Sequence, residues 1–207
     1  VDHAWLVDAF TRLAEATGRA RWIDEARAAA AALLDLFADP SEGGLFTTGD
    51  DAERLIVRQK DSYDGATPSA NGVAALALLR LAALTGDERM QAAGEGIVAW
   101  LAGALRDQPI AFTYTLGALD LLVTGPTEVA VVGDRPDLVA EVHRRYLPNA
   151  VLAWGEPYDS PLWEGRPPGH AFVCRDFACR APVADPVALA AQLDRPDRPR
   201  AAPPQRP

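Results

Sequence analysis

Sulfur and imidazole are scarce in this chain. Its 207 residues include two cysteines, one methionine and three histidines, and each shortage narrows what the protein can do. Cys174 and Cys179 are too few for the disulfide framework of a small secreted fold, so a reducing cytoplasm is the expected location. Whether the two serve as redox thiols or pack as structural ones is open at this stage. With His170 they have the chemistry of zinc ligands, but C-x4-C plus one histidine lacks a fourth ligand and the usual spacing, so no metal is expected. No G-x-S-x-G elbow is present to set up a nucleophilic serine. Val132-Gly133-Asp134 is only the opening of a dinucleotide turn, because no G-x-G-x-x-G follows, and no cofactor is expected.

Long apolar runs and positive charge are also missing. The alanine-rich stretches are broken by Asp, Glu and Arg before they reach about 18 residues, the length a membrane-spanning helix needs, and no signal peptide is visible. A net charge of −9 argues against nucleic acid and against an anionic membrane surface, since both need a basic face. The clearest local excess of Arg lies beyond Leu193. The chain opens at Val1 without an initiator Met, which reads as a fragment of a longer protein.

Helical periodicity fills the first half. Residues 3–17 place Trp5, Leu6, Ala9, Phe10, Leu13 and Ala16 at helical spacing before Gly18, and residues 20–38 continue with Trp22, Ile23, Ala26, Ala30, Leu33, Leu34 and Phe37 until Asp39-Pro40 stops the run. Residues 69–85 form a helix with Arg80 as its one charge, so it should be buried on all sides. Gly86 ends it, Asp87 caps the next, and residues 88–105 are amphipathic. The two hairpins repeat: Arg12-Leu13-Ala14 with Thr17-Gly18 returns 68 residues later as Arg80-Leu81-Ala82 with Thr85-Gly86. A third helix over 109–123 ends in Thr124-Gly125. Such repetition predicts stacked hairpins of solenoid or toroid type.

From Thr127 the pattern changes. EVAVVG reads as a buried strand, DLVAEVHRRYL as a short helix carrying an exposed His143, and AVLAW as a second strand, together a small β-α-β unit; residues 171–174 are a candidate third strand and 186–193 a last helix. The fold expected is mainly α, stacked helical hairpins over 1–125 followed by a small α/β element over 126–193. A Pro/Arg tail over 194–207 should be disordered.

The stretch 39–84 gathers the residues with most chemistry. Its first half is a polar loop with an extended apolar piece at Leu55-Ile56-Val57. Glu42, Arg58, Lys60, Tyr63 and Asn71 offer the acceptors, donors and stacking ring that a hydroxyl-rich ligand needs. Asp64, before a turn glycine and a buried helix, is a candidate acid or base, with His3 at the start of the first helix as the candidate proton-transferring partner. Capping or loop-pinning accounts equally well for Asp64 and Asn71, and Asp50, Asp51 and Asp61 read as solvated loop charges.

Taken together, EGGLFTT, LIVRQK, YDGATPSANGVAALALLRLAALTGD, EVAVVGD and AFVCRDFACRAPVADP resemble the C-terminal portion of the thioredoxin-domain-containing family related to spermatogenesis-associated protein 20. The D-G-A-x-P-S segment and the V-C-x4-C-x2-P-V motif carry the likeness, which covers nearly all of residues 1–193. The resemblance implies an upstream thioredoxin-like domain, then an (α/α)6 toroid similar to N-acylglucosamine 2-epimerases and six-hairpin glycosidases, of which residues 1–125 are a partial set of hairpins, with a carbohydrate-like small molecule as ligand. Epimerases of that kind use histidines projecting into the funnel, a role open here to His3. Family members read P-S-G-N-S where this chain has Pro68-Ser69-Ala70-Asn71-Gly72, so a serine hydroxyl is absent at Gly72. The alternative implied is a non-catalytic scaffold that supports the thioredoxin-like domain.

Overall fold

The computed structural model describes residues 2–53 and 55–194. The tail expected to be disordered lies, from residue 195 onward, outside the described residues. Helices α1 (Asp2–Thr17) and α2 (Arg21–Phe37) form one hairpin, and α3 (Ala70–Thr85) and α4 (Glu88–Asp107) the next. A 3-10 turn at Pro109–Phe112 leads into α5 (Thr113–Thr124).

The sequence repeat is matched atom for atom at the helix ends. The N–H groups of Gly18, Gly86 and Gly125 donate to the carbonyls of Ala14, Ala82 and Leu121 at 2.9, 2.7 and 2.9 Å. All three glycines have positive φ, a conformation open to a residue without Cβ. The preceding hydroxyls repeat at the first two: Thr17 Oγ1 donates to Leu13 O at 2.6 Å and Thr85 Oγ1 to Leu81 O at 2.8 Å, while Thr124 Oγ1 donates to Asp120 Oδ1 at 3.2 Å. After the third stop Pro126 cannot donate to a continuing helix, and the chain becomes β1 (Thr127–Val132).

Helix α3 is flanked by α1 and α5 and backed by α4. Every residue of it except half-buried Leu76 is buried, in keeping with its nearly unbroken apolar composition. Helix α1 buries its smaller residues. Ala4, Val7, Thr11 and Ala14 form its buried face, whereas Leu6, Ala9, Leu13 and Ala16 make an exposed stripe, with Leu6 and Leu13 at 42% and 38% exposure. Small residues win the inner face because they let α1 approach α2 and α3 closely. The piece Leu55-Ile56-Val57, expected to be extended, joins no strand and leaves Ile56 fully exposed.

The second half holds α6 (Pro136–His143), β2 (Ala150–Trp154), β3 (His170–Arg175), the short β4 (Ala178–Cys179) and α7 (Pro186–Leu193). The strands form one mixed sheet in the order β2-β1-β3-β4. Strands β1 and β2 are parallel across the α6 crossover, and β3 runs antiparallel to both β1 and β4. The β-α-β unit is therefore extended by a hairpin. One face of β1, through Val129 and Val131, packs with Leu138, Val142 and Leu189 of α6 and α7. The other, through Ala130, joins Phe172, Cys174 and Ala153 to the helical core.

A buried ion pair ties the two halves together. The Arg80 guanidinium donates to both Glu15 carboxylate oxygens at 2.9 and 3.0 Å, and to the carbonyls of Pro148 and Ala150 at 3.0 and 2.8 Å. Glu15 also accepts the Leu152 N–H at 3.0 Å. The single charge of α3 thus links α1, α3 and the edge strand β2.

Candidate functional site

The loop between the hairpins is built around Asn71, whose side chain lies wholly inside the protein. Its Oδ1 accepts the Leu45 N–H at 2.7 Å, and its Nδ2 donates to Leu45 O at 2.9 Å and Asp61 O at 2.7 Å. The amide pairs with Leu45 as a neighbouring strand would, satisfying main-chain groups that have no other secondary-structure partner.

Asp64 bridges two helix starts. One oxygen accepts the Ser69 N–H at 2.9 Å, just ahead of α3, while the other accepts the Tyr114 N–H at 2.7 Å and the Thr113 hydroxyl at 3.3 Å, at the start of α5. Asp61, expected to be solvated, accepts the Ala70 N–H at 3.1 Å. Ser69 caps α3 by accepting the Gly72 N–H at 3.1 Å. The space that a Cβ at Gly72 would enter lies 2.8 Å from Thr115 Oγ1 and 2.9 Å from Ser69 Oγ. A glycine at this position lets α5 approach α3 this closely.

The two cations of the loop are committed as well. Lys60 Nζ lies 2.6 Å from Asp39 Oδ2 and 3.8 Å from Glu42, and it donates to Gly43 O at 2.7 Å. It sits 5.0 Å from the ring centres of both Phe46 and Trp100. Lys60 and the Ser41 groups that donate to Asp39 hold that carboxyl well below the usual carboxylate range. Arg58 donates to the carbonyls of Thr48 and Leu36, pairs with Asp50, and lies 4.2 Å over the Phe46 ring. Exposed Tyr63 rests its ring 5.0 Å from that of Phe112. His3 packs on Phe37 at 5.2 Å between ring centres, and no hydrogen bond among the described residues joins it to Asp64. The structure therefore gathers Asp61, Asp64 and Asn71 at the start of α3 and Glu42, Arg58 and Lys60 along the loop around Phe46. It gives His3 a different neighbour.

Cavities open elsewhere. One of about 350 Å³ lies at the sheet edge, lined by Tyr146, Asn149, Arg175 and Arg180 among others. Another of about 280 Å³ lies between α1 and β2 beside Arg12, Arg80 and His143. A third, about 150 Å³, runs between the α3–α4 turn and the β3–β4 turn, with Glu128 in its wall. Among the described residues no cluster of three or more His, Cys, Asp or Glu side chains suits a metal ion, and no helix is long and apolar enough to cross a membrane.

Cys174 and Cys179 are joined as a disulfide. Arg166 Nη2 lies 2.9 Å from the Cys179 sulfur and 3.7 Å from that of Cys174. Glu128, 1% exposed, is the cross-strand partner of Cys174 on β1. Burial pushes its carboxyl up to about 7, against a hydrogen bond from the Phe177 N–H at 2.9 Å that favours the charged form. Sequence reasoning passed over Arg166 and Glu128; an acid inside the otherwise apolar strand EVAVV was the available signal.

No protein-family profile matches the chain. Among curated proteins, spermatogenesis-associated protein 20 of Homo sapiens is 31% identical, that of Mus musculus 28% and that of Rattus norvegicus 29%, each over 91% of this chain and 26% of the relative. The chain thus spans about a quarter of the length of the curated relatives it matches, and it is homologous to that portion of spermatogenesis-associated protein 20.

Proposed function

We propose that this chain is a non-catalytic scaffold segment of a longer cytoplasmic protein, contributing two and a half hairpins to an (α/α)6 toroid that supports a thioredoxin-like domain. The observation that carries this reading is how the polar groups of the 39–71 loop are used. Asp39, Arg58, Lys60, Asp61, Asp64 and Asn71 all bond to main-chain atoms of their own loop or of the helices it joins. Those bonds hold a connection in place and leave little for a ligand. The outer stripe of α1 supports the same reading, because Leu6, Ala9, Leu13 and Ala16 have the spacing of a helix face that packs on another helix.

Leu13→Glu tests this. In the longer protein the charge would enter a helix interface and cost on the order of 2 kcal/mol or more, lowering the melting temperature by several degrees. In the 207-residue chain alone the same change should be nearly neutral. Equal, negligible effects in both would overturn the scaffold reading.

A carbohydrate-like ligand is the second reading, favoured by one observation: Tyr63 and Trp5 present exposed rings beside Phe112 and Tyr114, and aromatic faces stack on sugars. Calorimetric titration of a panel of mono- and disaccharides against the longer protein separates the two, since heat lost on Tyr63→Ala would favour the ligand.

A further inference from the structure

The β3–β4 hairpin closes on a bond that plays no part in the loop. Cys174 and Cys179 face each other across its two strands, the first buried and the second exposed. The two turn residues between the strands, Asp176 and Phe177, have φ of 48° and 59°. This left-handed region costs a residue with a side chain on the order of 1–2 kcal/mol. A disulfide exposed at one sulfur is open to attack from solvent, as labile disulfides are.

The surroundings supply what exchange chemistry needs. The Arg166 guanidinium is within reach of both sulfurs, and a neighbouring cation stabilises a thiolate. Glu128 stands directly across from Cys174, on the same face of the sheet, where paired side chains start about 4.5–5.5 Å apart. The charged groups facing Glu128 are Arg166 from the loop before β3, Arg175 and Asp176 from β3 and its turn, and Asp87 and Glu88 at the start of α4, which line the same cavity.

We propose that Cys174 and Cys179 form a thiol–disulfide exchange site for a dithiol reductant, with Cys179 the sulfur attacked, Arg166 the thiolate-stabilising cation and Glu128 the acid that protonates Cys174. A thiolate of the reductant bonds to Cys179 Sγ, the Cys174–Cys179 bond breaks, and its electron pair leaves on Cys174 Sγ, which takes the Glu128 proton. The second thiolate of the reductant then attacks the mixed disulfide. The reductant departs oxidised, Cys179 is left as a thiolate beside Arg166, and the Glu128 carboxylate regains a proton from solvent through the cavity of about 150 Å³. This site is independent of the scaffold reading, since it uses none of the loop residues.

The test follows reduction of the full chain by dithiothreitol without denaturant, with peptide-resolved alkylation of Cys174 and Cys179. Expressed per reductant thiolate, the rate should fall as pH rises through about 7. Glu128→Gln should remove that fall and slow the reaction at pH 6 by about a hundredfold, the low end of general-acid effects. A second variant does not depend on Glu128: in Cys174→Ser, Cys179 should be alkylated as a thiolate well below the ordinary thiol range, and Arg166→Gln should abolish that. A reduced Cys-x-x-Cys protein, compared with dithiothreitol at equal thiol concentration, shows whether the reductant is a protein surface or a small molecule. Reduction that occurs only along with unfolding, or a Cys179 that titrates like an ordinary thiol, would overturn the proposal.

Discussion

Glu128 shows how one side chain can be costly to the fold and still be held in it. Its carboxyl sits at about 7 in the folded protein against 4.5 for the free group, chiefly because burial disfavours the charge. A raised carboxyl pKa means that the folded state keeps a proton the unfolded state has already released. Its stabilising effect is therefore complete below about pH 4.5 and lost as pH rises through 7, a swing on the order of 3 kcal/mol. Glu128→Gln, which cannot ionise, should gain stability relative to the wild type between pH 4 and pH 8. Paired urea titrations at the two pH values measure this, and a constant difference between the proteins would show that Glu128 titrates alike in the folded and unfolded states, its carboxyl unshifted by burial. Asn71 is the neutral counterpart. Its cost is desolvation of an amide, offset by three hydrogen bonds to main chain, two of them fully buried.

Among the elements, α3 organises the rest. Its apolar sequence fixes it as the central helix, and its one charge decides where the sheet docks. Removing one partner of a buried ion pair typically costs about 3–5 kcal/mol, while replacing both with apolar groups is often neutral. Arg80→Leu should therefore destabilise by about that much, whereas Arg80→Leu combined with Glu15→Leu should recover most of the loss. Thermal melts of the two single variants and the double variant give the coupling directly, and additive losses would mean that the pair does not act as a unit. Much of this level was legible beforehand. The Thr-Gly stops at 17–18, 85–86 and 124–125 marked the helix ends because only a residue without Cβ suits those turns. Strands β1 and β2 showed as short apolar runs. The partner of Arg80 did not show, since Glu15 is 65 positions away and looks like any surface acid of an amphipathic helix. The inner face of α1 did not show either. Large apolar residues at helical spacing suggested the core side, while close helix packing selected the alanine, valine and threonine side instead.

For the whole molecule, the helical layer and the sheet share one buried cluster, and the loop over 39–71 seals one end of α3. The chemistry-bearing types in that loop were legible as a group, because Asp, Arg, Lys and Asn crowd into a stretch bounded by two helices. What composition could not give was the direction of each hydrogen bond, which decides whether such a loop receives a ligand or fastens itself. Leu13→Glu, compared between this chain and the proposed longer protein, tests at the same scale whether the outer stripe of α1 belongs to an interface. The scaffold reading itself rests most directly on Asn71. Guanidinium unfolding of Asn71→Ala beside Tyr63→Ala measures it: losing the amide leaves buried main-chain groups unpaired at about 1–3 kcal/mol each, so Asn71→Ala should lose on the order of 3 kcal/mol while Tyr63→Ala loses less than about 1 kcal/mol. An Asn71→Ala protein of wild-type stability would contradict the account and return the loop to the role of a ligand site.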